Sequence, residues 1–186
     1  MEGKLVFSGL TQSNKPLEIC YVKTDDVLTM LEYINTLSLE KTYITLQGEQ
    51  LTLEDEQSYV AKQIENSNNN SGLLLLAFVD SSLAGICGLS MQTKTEQHVS
   101  TIHLSVAKEF RRDGIATTLM EQVMNEAKTN IKRLEIITLT AYAQNIPAIN
   151  LYKKLGFIEF GKLPNGISRH NTYDDEVYMY KNIREI

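Results

Sequence analysis

The chain has 186 residues, 42% of them hydrophobic and 22% charged, the make-up of an ordinary water-soluble domain built around one core. Its formal charge of -5 argues against nucleic-acid binding, which relies on a basic surface, and its two cysteines, Cys20 and Cys87, have neither the spacing nor the neighbouring histidines of a metal site or a disulfide scaffold. Reduced thiols and a cytoplasmic location are the expectation, and the longest apolar stretch, Leu73–Val79, is far too short to span a bilayer.

Residues 1–16, punctuated by Gly3, Gly9, Asn14 and Pro16, read as a loose arm or a short edge strand, and no function is assigned to them. Leu17–Val22 alternates as a first strand. Thr24 followed by Asp25 and Asp26 predicts an N-cap with an acidic first turn, opening a helix to about Ser38 whose apolar face is Val27, Leu28, Leu31, Ile34 and Leu37. After a linker through Gly48, Thr52-Leu53-Glu54-Asp55 resembles a capping box with Asp in place of Glu and opens a second helix to about Asn66. A Ser/Asn-rich turn ends it. Leu73–Val79 and Leu83–Met91, joined by Asp80-Ser81-Ser82, predict an antiparallel hairpin. The polar stretch Gln92–Gln97 then leads to a strand that begins near His98 and ends at Val106.

A helix follows from Ile115 to about Lys128, with Ile115, Leu119, Val123 and Ala127 at every fourth position. Leu134–Thr140 is another strand. Asn145 caps the next helix, Pro147 is tolerated in its first turn, Lys153 and Lys154 suit its C-terminal pole and Gly156 ends it. Phe157–Leu163 and Glu176–Asn182 read as final strands joined by a long polar connection, Pro164–Asp175. The pattern is a mixed α/β sheet with crossover helices, without internal repeat, in one domain over residues 1–186.

The stretch Val106–Thr117 joins the central strand to the central helix. Its small residues, Gly114 and Ala116, sit where the first helical N–H groups are unpaired, and such an end attracts phosphate because free donors and the positive pole of the helix meet the same anion. Gly114 permits close approach of a ligand to the backbone, and Arg111 and Arg112 add charged donors.

The segment Arg111-x-x-Gly114-x-Ala116 resembles the acetyl-CoA pyrophosphate loop of the GNAT superfamily of N-acetyltransferases, and Asn145…Ala148…Leu151-Tyr152-x-Lys154-x-Gly156-Phe157 is similar to that family's second signature. The two occur in order, separated by one strand, and the resemblance is best over residues 73–181. It implies a mixed, mostly antiparallel sheet of about seven strands with a splayed or bulged central strand and four flanking helices. It also implies an acetyl-CoA-dependent transfer to a primary amine, on a small molecule or on a protein or peptide, with no nucleic-acid partner. The alternative is an inactive acyl-CoA-binding or sensing module of the same fold. A dinucleotide oxidoreductase would want an early Gly-x-Gly-x-x-Gly, which is absent.

Carried over by position, the diphosphate falls on Arg111, Arg112, Asp113, Gly114, Ile115, Ala116 and Thr117, and backbone groups of Leu104, Ser105 and Val106 meet the pantetheine arm and the thioester oxygen. Asn145 caps its helix or bonds the same arm. Tyr152 is the expected general acid, since a phenol with an ordinary pKa near 10 can protonate a departing thiolate without being ionised beforehand. The general base stays open among Glu96, His98, His103, Asp174, Asp175 and Glu176. An exposed final strand would offer an edge on which two copies could pair.

Overall fold

The computed structural model describes Met1–Arg169 and Thr172–Arg184. Eight strands are hydrogen-bonded in the order β1-β2-β3-β4-β5-β6-β8-β7, and four α-helices accompany them. Residues group into two compact units, Met1–Ser90 with His103–Lys132, and Met91–Ile102 with the residues from Arg133 onward. The strand β5 (Val99–Val106) contributes its first half to one unit and its second half to the other.

In the first unit, β1 (Leu5–Leu10) pairs antiparallel with β2 (Pro16–Tyr21), and β2 with β3 (Gly72–Val79). The N-terminal segment is therefore an edge strand, and the sheet has eight strands rather than about seven. Strands β3 and β4 (Ser82–Met91) form the expected hairpin across a two-residue turn, Asp80-Ser81, both with positive φ as a type I′ turn requires. Leu73, Leu74, Leu75, Leu76 and Ala77 are at most 2% exposed, because β3 is covered on both faces. Leu74 and Leu76 join a core with Val27, Met30, Tyr33 and Leu37 of helix α1 (Val27–Leu39) and Val60 of helix α2 (Leu53–Asn68). By the two-residue period, Leu73, Leu75 and Ala77 face the other side, where helix α3 (Ile115–Asn130) packs with Ile115, Leu119, Val123 and Ala127 buried to 1% exposure or less.

Two expectations at α1 are corrected. Thr24 is not its N-cap: residues Thr24–Asp26 form a 3-10 turn, the Thr24 hydroxyl donates to Glu2, and the Asp26 carboxylate accepts from the Lys23 N–H at 2.9 Å. Val27 and Leu37 are buried and Ile34 packs against the core as expected, but Met30 and Tyr33 complete the buried face in place of Leu28 and Leu31, and Leu28 is left 67% exposed. The capping box at α2 forms as read: Thr52 Oγ1 accepts from the Asp55 N–H, and Asp55 Oδ2 accepts from the Thr52 N–H.

In the second unit, the start of β5 pairs in parallel with β6 (Ile136–Tyr142) over Val99–Thr101 only. Strand β6 pairs with β8 (Thr172–Asn182), and β8 with β7 (Ile158–Arg169). The expected polar connection 164–175 is mostly strand: β7 continues past Leu163 by bulging between Leu163 and Ile167, with Asn165 at φ 57°. His170 and Asn171, also assigned to that connection, lie outside the described residues. The final strand β8 is flanked on both sides, so the edges are β1 and β7. Helix α4 (Ile146–Lys154) begins where Asn145 Oδ1 accepts from the Ala148 N–H. It ends in a Schellman pattern, with Gly156 at φ 85°, its N–H donating to the Lys153 carbonyl and the Phe157 N–H to that of Tyr152. Among the described residues no helix is long and apolar enough to cross a membrane.

A Cβ at Gly72 would lie 2.6 Å from the Leu89 carbonyl oxygen, a backbone atom that cannot rotate aside. Gly72→Ala is therefore expected to lower the unfolding free energy by about 1–3 kcal/mol, read as a lower urea midpoint at an unchanged m-value.

Candidate functional site

The loop between β5 and α3 is shaped by two left-handed residues. After a 3-10 turn at Lys108–Phe110, Arg112 adopts φ 63° and Gly114 φ 83°, and the first α3 bond runs from the Thr118 N–H to the Gly114 carbonyl at 3.1 Å. Glycine takes this conformation without steric cost, whereas for Arg112 it costs about 1 kcal/mol or more, so the neighbouring contacts must hold it. No side chain caps α3. Among the described residues, nothing accepts a hydrogen bond from the N–H groups of Arg112, Asp113, Gly114, Ile115, Ala116 or Thr117. Such a row of donors at the positive end of a sixteen-residue helix is suited to an anion bearing several oxygens.

Three attachments fix this loop. The Arg111 Nε donates to the Val106 carbonyl at 2.9 Å, and its Nη2 pairs with Glu40, at the end of α1, at 2.7 Å. The Asp113 carboxylate accepts from the Ser13 N–H at 2.7 Å and the Ser13 hydroxyl at 2.6 Å, and the Asp113 carbonyl accepts from the Gln12 N–H at 3.2 Å. The Ser13 hydroxyl, foremost among several donors, holds the Asp113 carboxyl below the usual carboxylate range. The third is the burial of Ile115, 1% exposed, at the first turn of α3. Two guanidinium nitrogens of Arg111 thus meet the chain itself, and both Arg111 and Arg112 are exposed.

Leu104, Ser105 and Val106, half-buried, continue past the end of the β5–β6 ladder. The Ser105 Oγ lies 2.9 Å from the hydroxyl of Tyr33, whose pKa burial pushes up, so the phenol is neutral. His103 turns to the opposite face from Ser100 and Ile102, both buried. Its ring lies over Gly88, where a Cβ would meet His103 Cε1 at 2.4 Å, and its Nε2 is 3.4 Å from the Tyr59 hydroxyl.

Tyr152 and Asn145 belong to the second unit. Tyr152 is 8% exposed on the inner face of α4 with Ile149, and its ring meets Phe157 edge-on at 6.1 Å between centroids. The remaining proton acceptors differ in their surroundings. Glu96 is exposed on a 3-10 turn, and His98 is half-buried, its carbonyl accepting from the Glu135 and Ile136 N–H groups. Asp175 pairs with Lys162 at 2.9 Å, and Glu176 accepts from the Tyr178 hydroxyl at 2.8 Å. Asp174 is 8% exposed; its Oδ1 accepts from the Asp175 N–H, and its Oδ2 has no partner among the described residues.

The first unit therefore brings together the loop, Leu104–Val106 and His103, with four residues that sequence reasoning did not single out: Ser13, Tyr33, Glu40 and Tyr59. Ser13 and Asp113 are 100 positions apart and Tyr33 and Ser105 are 72 apart, so no local pattern could have joined them.

Residues 37–157 match the family model described as the acetyltransferase (GNAT) family. Over 106 residues the chain is 31% identical to the L-amino acid N-acetyltransferase AaaT of Escherichia coli, covering 56% of this chain and 65% of that protein. Over 75 residues it is 41% identical to an N-alpha-acetyltransferase of Sulfurisphaera tokodaii, covering 40% of this chain and 41% of that protein. The match spans less than two thirds of either relative. Among solved structures, an acetyltransferase of the GNAT family from Streptococcus pneumoniae superimposes with a TM-score of 0.83 at 25% identity, covering 90% of this chain and 99% of that one.

His103 is exposed at the surface, but where its ring packs over Gly88 it loses water, and this pulls its pKa below the ordinary histidine value. The unfolded chain then binds more protons than the folded one, so this residue's contribution to stability is present above about pH 6.5 and is lost as the pH falls from there through the depressed native pKa. An NMR titration of the His103 ring is expected to give a midpoint below 6.5. His103→Gln is expected to flatten the fall of stability over that acid range.

Proposed function

We propose that this chain, which belongs to the acetyltransferase (GNAT) family, transfers an acetyl group from acetyl-CoA to the α-amino group of an amino acid or of a peptide N-terminus. The observation that carries the reading is the row of unpartnered amides from Arg112 to Thr117 at the head of α3. A diphosphate offers oxygens on every side, and backbone donors already held in place bind it without reorganising. The acceptor class rests on the two relatives named above, whose names specify an L-amino acid and an α-amine.

In this reading the amides of residues 112–117 hold the diphosphate, and backbone groups of Leu104, Ser105 and Val106 align the pantetheine arm and polarise the thioester carbonyl. The Val106 carbonyl already accepts from Arg111, so this bond sets the direction of the strand as it enters the loop. The neutral amine attacks the carbonyl carbon, the carbon–sulfur bond breaks, and the thiolate takes a proton from the phenol of Tyr152 as the amine's surplus proton passes to a base or to water. Tyr152 is assigned on its place in the second motif and on its chemistry, and it lies nearly buried on the inner face of α4.

Incubation with acetyl-CoA and a panel of amino acids, short peptides and polyamines, read by mass spectrometry, is expected to show acetylation confined to α-amines. Tyr152→Phe is expected to lower kcat by roughly tenfold to a thousandfold with the acetyl-CoA dissociation constant unchanged. An unaltered kcat would remove Tyr152 from its role, and the absence of any acetylated product across the panel would refute the transfer.

A further inference from the structure

The loop assigned to the diphosphate contains an acid. Asp113 lies within the row of bare amides, beside Gly114, and a carboxylate free to turn toward a bound diphosphate would repel it at short range. The structure shows this carboxylate engaged elsewhere. The turn between β1 and β2 meets it with the Ser13 N–H on Oδ1 at 2.7 Å and the Ser13 hydroxyl on Oδ2 at 2.6 Å. The Thr11 and Ser13 hydroxyl oxygens are 3.1 Å apart, the Lys15 N–H donates to Thr11 Oγ1, and the charge of Lys15 also acts to keep Asp113 ionised. Gln12 completes the contact: its N–H donates to the Asp113 carbonyl, and its side chain covers Gly114, 3.1 Å from where a Cβ would stand.

Core formation does not account for these contacts. Of the turn residues only Thr11 is buried, and residues 12–15 are exposed, yet four of them converge by side chain, backbone or charge on one acidic residue far along the chain. We propose that the β1–β2 turn is a charge clamp for the coenzyme loop, in which Ser13 holds the Asp113 carboxylate against the turn so that the amides meet a diphosphate without a competing negative charge. The inference rests on the reading of residues 112–117 as the acetyl-CoA diphosphate site. Ser13 is a positioning residue acting through Asp113, and the segment that the sequence left without a role becomes part of coenzyme recognition.

An ordinary structural latch and a charge clamp differ in what happens when the charge is removed. Calorimetric titration of the full chain with acetyl-CoA compares the wild type, Ser13→Ala and the double variant Ser13→Ala/Asp113→Asn, with thermal melts to confirm folding. The clamp predicts that S13A binds roughly threefold to tenfold more weakly at low salt. The loss shrinks at about 1 M salt, where screening acts over about 3 Å. Adding D113N brings binding back close to the wild-type value. If S13A binds as tightly as the wild type, or if the double variant is as weak as S13A or weaker, the clamp is overturned while the coenzyme assignment stands. A wild type that binds no acetyl-CoA refutes the coenzyme assignment, and the clamp with it.

Discussion

Six consecutive amides without a partner, at the head of a long helix, are the feature on which the first unit turns. Left to itself, a loop with that many open donors gains by collapsing onto any nearby oxygen, because an unmade hydrogen bond in a partly dried place is costly. Collapse is prevented from several directions. Ile115, Leu119, Val123 and Ala127 are sunk at 1% exposure or less and fix the rotation of α3, so the amides cannot roll away from the surface. Gly114, left-handed and without a side chain, gives α3 no capping oxygen. Arg111 is bonded to Val106 and Glu40 and sets the loop's entry angle.

Strand β5 transmits that arrangement. Its ladder with β6 covers Val99–Thr101, so the residues beyond are placed by other contacts: Ala107 by its N–H to the Ala84 carbonyl, Ser105 by the Tyr33 hydroxyl, and His103 by the flat ground that Gly88 leaves for its ring. A strand released from one neighbour keeps polar backbone groups available on that side, while β4 remains hydrogen-bonded to it on the other. Its end is further placed by the Tyr33 hydroxyl of α1, the Tyr59 hydroxyl of α2 and the Ala84 carbonyl of β4.

Local chemistry made much of this legible in the sequence. The every-fourth-residue stripe of α3, the Thr52–Asp55 capping box, the Asn145 cap and the Gly156 stop each depend on residues within a turn or two of one another, and the structure forms them where they were read. What was not legible depends on partners far along the chain. In α1, Leu28 and Leu31 match the helical period as well as Met30 and Tyr33 do, and only the packing against β3 and α2 decides which pair is buried beside Val27 and Leu37. The long β7–β8 hairpin was shortened in the reading because its outer half is polar and exposed, and bulges break the alternation by which a strand is recognised. The Ser13–Asp113 pair has no local signature at all.

Helix α1 ties the core of the first unit to the end of β5 and to the loop before α3. Its inner face is built into the core with α2, while Tyr33 reaches Ser105 of β5 and, just past the helix end, Glu40 reaches Arg111 of the loop. Ser38, fully buried, donates to the Glu49 carbonyl and accepts from the Gly48 N–H, so the linker to α2 is tied to the same turn of helix. A substitution that shifts α1 is therefore felt at the end of β5 and at the loop that precedes α3. Changes in α1 that preserve both contacts must leave the spacing of Tyr33 and Glu40 intact, which confines them to the exposed residues of the helix.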